Sequence, residues 1–148
     1  MTRQLLLLFV LLPTLLLAQK LPTIAEKTSG MKKHEGFIDF YWDENTGKVW
    51  LDISQLDKEM LYVSSLPAGL GSNDVGLDRG SLGETRIIKF NRVGRKVLMV
   101  QPNYDFRATS GDKAEQRAAE QSFAQSTIWG FTVEAESDGH ALIDATDF

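Results

Sequence analysis

The sequence predicts an α+β, β-rich domain of antiparallel hairpins, about seven strands in all, with one convincing helix near Asp112–Ser126. Three observations carry this. Short runs rich in β-branched and aromatic residues recur along the chain, several of them paired across tight turns. A helix start signal is clear at one place, Asp112-Lys-Ala-Glu115, where an acidic cap is followed three residues later by glutamate. A 19-residue segment, Leu66–Glu84, holds five glycines, one proline and three acids between two strand runs. A loop of that length inside a compact domain is uncommon and usually functional or disordered. Leu66, Leu70, Val75, Leu77 and Leu82 recur through it, which favours an ordered, glycine-shaped loop that packs onto something.

The elements follow in order. Phe37–Trp42 is aromatic and strand-like, Asp43–Gly47 supplies turn chemistry, and Lys48–Ile53 returns with Val49, Leu51 and Ile53 on one face and Trp50 and Asp52 on the other. A polar link, Ser54–Glu59, leads to a strand at Met60–Ser65 and into the glycine loop. Beyond it, Thr85–Val93 and Lys96–Gln101 form the clearest hairpin, turning at Gly94-Arg95 and ending at Pro102. The helix from Asp112 is expected to reach about Ser126, with a weakly apolar face suited to a sheet edge. Ile128–Ala135 and His140–Ala145 then pair across Ser137-Asp-Gly139. The chain stops at Thr146-Asp-Phe148 without a cap or polar tail, which is unusual for a natural domain end and reads as a truncation.

The N-terminus reads as a secretory signal, residues 1–18: Arg3, then the apolar run Leu5–Leu12, Pro13, and Leu15–Ala18 before Gln19. The apolar run is short of the roughly 20 residues that a membrane span needs, and an uncleaved anchor helix is the alternative reading. Cleavage after Ala18 implies an exported protein, periplasmic, on the outer surface or extracellular, with no membrane association once the signal is gone. Residues 19–35 are expected as a flexible lead with at most a short helix around Ile24–Lys27, and 36–148 as the β-rich module.

Composition excludes several classes of function. With 148 residues, 43% hydrophobic and 9% aromatic, the chain has enough apolar material for the core of one domain. Its charges, net −4, are interspersed, and no basic stripe suits nucleic acid. The absence of cysteine removes disulfides, thiol catalysis and thiolate zinc sites. His34-Glu35 opens a zinc-helix motif that Gly36-Phe37-Ile38 does not continue, so His34 and His140 are read as surface residues. Ser64, Ser65 and Ser72 lack a nucleophile elbow. Asp105, Arg107 and Asp112 are read as a surface charge network, and Trp42, Trp50 and Trp129 as core or sheet-face residues.

The glycine loop is left with three readings. Gly69-x-Gly71 lacks the lysine and the helix start of a phosphate cradle. Asn73, Asp74, Asp78 and Glu84 have oxygen ligands suited to calcium, but no EF-hand spacing. The plainest reading is a contact loop whose glycines permit positive φ and close backbone approach, formed by Gly69, Leu70, Gly71, Asn73, Asp74, Gly76, Asp78, Arg79 and Gly80.

Four blocks add a family resemblance: Glu35–Asp43, Leu61–Gly80, Val100–Arg107 and Ser122–Ser126. With them the chain, from about Pro22 to Phe148, resembles the uncharacterised N-terminal region of secreted bacterial zinc-dependent metalloproteases of the met-zincin type. The resemblance implies a non-catalytic module whose partner is a downstream catalytic domain of the same polypeptide, with zinc held there and no cofactor in this chain. It places the His-Glu-x-x-His helix beyond Phe148, so no zinc ligand or catalytic glutamate carries over to these residues. The contrasting expectation is a free-standing exported binding module that uses residues 66–84 for a ligand or calcium.

Overall fold

The computed structural model describes residues 20–69, 76 and 78–148. The proposed signal, residues 1–18, lies outside the described residues. Ten elements follow one another: α1 (Ile24–Lys27), β1 (Lys32–His34), β2 (Asp39–Asp43), β3 (Lys48–Ile53), β4 (Glu59–Ser65), β5 (Leu82–Val93), β6 (Lys96–Gln101), α2 (Lys113–Ser122), β7 (Ser126–Ser137) and β8 (His140–Asp144). All eight strands join one antiparallel sheet in the order β1-β2-β3-β8-β7-β6-β5-β4. The seven strands read from the sequence are all present, and β1 is the eighth.

The sheet curls at β7, one of its two 12-residue strands, which changes its pairing partner along its length. The first part of β7 pairs with β6 and the last part with β8. A bulge between Val133 and Ala135 puts an extra residue into β7, which bends a strand and re-aims its side chains. Val133 therefore packs into the inner core, whereas Ala135, two positions on, belongs to a second cluster. Further register shifts at Val63/Ser65 and Met99/Val100 add to the curl.

The inner core gathers Ile53, Ile88, Phe90, Val97, Met99, Phe131, Val133, Ala141 and Ile143, all buried. The link between β3 and β4 crosses to the far end of the sheet. Leu56 bridges Phe90, and the Asp57 N–H donates to the Phe90 carbonyl at 2.8 Å. The second cluster, Ile24, Trp50, Ala135 and Leu142, is supported by Met31 and Tyr41. The sequence had placed Trp50 opposite Leu51 and Ile53, and it is indeed in the other cluster.

Within the lead, the short helix expected around Ile24–Lys27 is present as α1, and contacts tie the segment to the sheet. Thr23 and Glu26 form a reciprocal capping box on α1, Ile24 is buried, and the Pro22 carbonyl accepts from Glu136 N–H at 3.0 Å. Lys32–His34 then pairs with Phe40–Trp42. Leu21, Ile24 and Met31 anchor this segment. They are too widely spaced among lysines to show a periodic pattern. Helix α2 is shorter than expected. Asp112 caps it through Ala114 N–H, but it ends at Ser122 because Phe123 leaves the helix to stack on Phe106, 4.2 Å between ring centroids. The capping box is half made, since the Glu115 carboxylate takes a hydrogen bond from Ser110. Among the described residues, no helix is long and apolar enough to cross a membrane.

Candidate functional site: the β4–β5 hairpin and its loop

The glycine segment is the connection of a hairpin at the end of the sheet. β4 pairs with β5 from Glu59–Lys89 to Ser65–Leu82. Beyond this ladder the Leu66 N–H donates to the Ser81 carbonyl at 3.0 Å and the Gly80 N–H to the Leu66 carbonyl at 2.8 Å. The Ser81 N–H donates to the Asp78 carbonyl, closing a tight turn, with Gly80 at φ 79°. That conformation is cheap for glycine and costly for an L side chain. Gly76 is also at positive φ. At the bulge, the Ser64 hydroxyl occupies the space that a side chain on Gly83 would need.

Of the contact residues read from the sequence, Gly69, Gly76, Asp78, Arg79 and Gly80 are described and exposed. Leu70, Gly71, Asn73 and Asp74 lie outside the described residues, as do Val75 and Leu77. Leu82 does not pack as expected, since it is 69% exposed. It sits where the hairpin leaves the core, largely uncovered by the described residues.

The outward face of the hairpin is the feature that sequence reading missed. Leu61, 76% exposed, lies opposite Ile87, and Val63 opposite Thr85. Met60 and Tyr62, alternating with them, turn inward against the core. Apolar side chains thus occupy both faces of β4, and one face is left exposed by the described residues. Beside this face the segment from Pro102 to Ser126 borders a cleft of about 370 Å³ with Thr85, Arg86 and Ile87 on its other wall. A second cleft of about 300 Å³ runs between Lys89, Tyr104, Phe106 and α2. Arg86 spans Glu84 and Gln101, at 2.9 and 3.4 Å. Tyr104 donates to the Glu59 carboxylate, which holds its phenol above the usual range. The guanidinium of Arg107 lies 5.9 Å from the centre of the Tyr104 ring. Asp112 is the α2 cap, and the ion pairs among the described residues include none of Asp105, Arg107 and Asp112, which were expected as a charge network.

Elsewhere, His140 is tied down more firmly than a surface residue. Its Nδ1 lies 2.9 Å from Oδ1 of Asp52, a carboxylate that is nearly buried. These two line a cavity of about 90 Å³ with Asp39 and Ser54. Lys33 holds the Asp39 carboxyl below its ordinary range, helped by the Gly36 N–H, and the same bond raises the Lys33 ammonium. His34 stacks on Phe40 at 4.5 Å between centroids. Among the described residues, no group of three or more His, Cys, Asp and Glu side chains is placed to hold a metal ion. Two of the four oxygen ligands considered for calcium, Asn73 and Asp74, lie outside the described residues. Glu84 is paired with Arg86.

Two family models match the chain. Residues 21–69 are similar to a domain of unknown function, DUF5118, and residues 80–148 to another, DUF5117. No match was found among curated proteins or solved structures.

Proposed function

We propose that this chain is a non-catalytic, β-rich N-terminal module of an exported zinc-dependent metallopeptidase, and that it docks onto the downstream catalytic domain through the β4–β5 hairpin and its glycine loop. The observation that carries the docking surface is the uncovered apolar face of the hairpin, Leu61, Val63 and Ile87, continued by Leu82 at the mouth of the loop. Contiguous exposed apolar surface of this kind marks interaction sites. The enzyme class rests on the sequence blocks that resemble the met-zincin proteases, one of which spans this same hairpin strand and loop, Leu61–Gly80. On this reading the hairpin shapes or steadies the catalytic domain, and zinc chemistry takes place beyond Phe148.

Two measurements test the reading. Reading the coding frame past Phe148 should reveal a His-Glu-x-x-His helix; a stop codon there removes the peptidase assignment. With that downstream domain in hand, Leu61→Asp should weaken its association with the module by about tenfold or more, the scale of a central apolar anchor. Lys33→Ala, at the opposite end of the sheet, should leave association unchanged. Equal effects of the two would place the contact elsewhere. Purified residues 19–148 should carry only substoichiometric zinc by metal analysis and cleave no protein.

A further inference from the structure

The two family matches divide the chain at the glycine loop, yet the strand order does not divide there. Residues 21–69 supply β1, β2 and β3 at one end of the sheet and β4 at the other. Residues 80–148 supply β5 to β8 between them. β4 therefore pairs with no strand of its own segment. Its ladder runs entirely along β5, and β3 runs along β8 from Trp50–Asp144 to Ile53–Ala141.

The cores are shared in the same way. The second segment contributes most of the inner cluster, while Leu21, Ile38, Leu51, Leu56, Met60 and Tyr62 of the first segment pack over it. In the other cluster Ile24 and Trp50 of the first segment meet Ala135 and Leu142 of the second. Without the first segment, β5 and β8 would both become open edges and the inner core would lose Ile53 as well as those six neighbours. Without the second, β4 would be a lone strand. An isolated strand or hairpin buries too little to persist in water.

We propose that residues 21–69 and 80–148 are two halves of one folding unit: the first half clamps the two edges of the second, each is the other's obligate partner, and the fold does not need the loop between them to be continuous. The Leu66–Ser81 and Gly80–Leu66 hydrogen bonds close the hairpin below the loop tip, so a break at Gly76 spares every strand pairing described above. This inference is independent of any peptidase role.

The test uses the full chain with a site-specific protease sequence inserted at Gly76 and cut after folding. The two pieces should elute together at the mass of the uncut protein and melt in one transition, while denaturant should separate them. Separation in native buffer overturns the proposal, as does a cooperative transition retained by residues 80–148 alone. Hydrogen exchange on the uncut, unmodified chain gives a second reading. Amides of β3, β4, β5 and β8 should share one opening free energy, and two groups that open separately along the 21–69 and 80–148 division would overturn the single unit.

Discussion

Asp144 carries two opposing influences on its charge. Burial raises its pKa, but hydrogen bonds from Lys48 at 2.6 Å and from the Thr146 hydroxyl and N–H outweigh this, and the net shift is downward. Asp39 and Asp43 are also lowered, by hydrogen bonds from Lys33 and Thr46 respectively. A carboxylate held below its unfolded value of about 3.9 stabilises the fold above that value, and the contribution is lost as pH falls through the folded pKa. The melting temperature should therefore drop on acidification below about pH 5, and Asp144→Asn should make that drop shallower. An unchanged acid slope would show that Asp144 takes no part in it. Lys48, raised by the same pair, should have the opposite effect at the alkaline end, its stabilisation being lost as pH rises through its folded pKa. Packing separates the residues more sharply than charge. Ile143, with no exposed surface, should lose about 2–5 kcal/mol on truncation to alanine in urea unfolding, the usual cost of a cavity. Leu61→Ala should stay within about 0.5 kcal/mol, as uncovered side chains do. Comparable losses would mean that Leu61 is covered in solution.

Helix α2 buries none of its side chains and is fixed mainly by its cap and by the Phe106–Phe123 stack. Its amides should therefore exchange through local opening, far faster than those of β6 and β8, whose side chains fill the core. Asp112→Ala should speed α2 exchange further without shifting the global melting temperature; a global shift would show that the helix is packed after all. The hairpins were legible in the sequence because alternation and turn residues act locally. Asp138 and Gly139, for instance, both take positive φ in the turn between β7 and β8, as such a two-residue turn requires. β1 was not legible. Lys32-Lys33-His34 has no apolar alternation, and its strand form comes from pairing with β2 and from the Lys33–Asp39 contact at 2.9 Å. The end of α2 was hidden for a similar reason, since the partner that draws Phe123 out of the helix is Phe106, across a loop. As for the candidate site, glycine content pointed to the loop, but alternation along β4 does not say which of its two faces goes uncovered.

At the scale of the whole molecule, the chain builds its sheet from the two ends toward the middle. β3, complete by Ile53, must wait for β8, the last of the described strands, and the pairing of Trp50 with Asp144 spans roughly ninety positions. Closing so long a stretch before any contact repays it makes such pairing slow. The β5–β6 hairpin, closed by Gly94-Arg95, is local and should form within microseconds, whereas the β3–β8 seam should set the pace in milliseconds to seconds. Trp50 is buried in one cluster with Ile24, Ala135 and Leu142 and pairs with Asp144, and so reports on that seam. In a chain carrying Trp42→Phe and Trp129→Phe, stopped-flow fluorescence of Trp50 should reach its native value only in the slowest phase, after most strand circular dichroism has returned. A Trp50 signal complete in the fastest phase would mean that the seam closes early. Until His140–Asp144 is in place, a growing chain holds β1, β2 and β3 without the neighbour that seals them, and the edge of β3 stays open to any other strand that reaches it first.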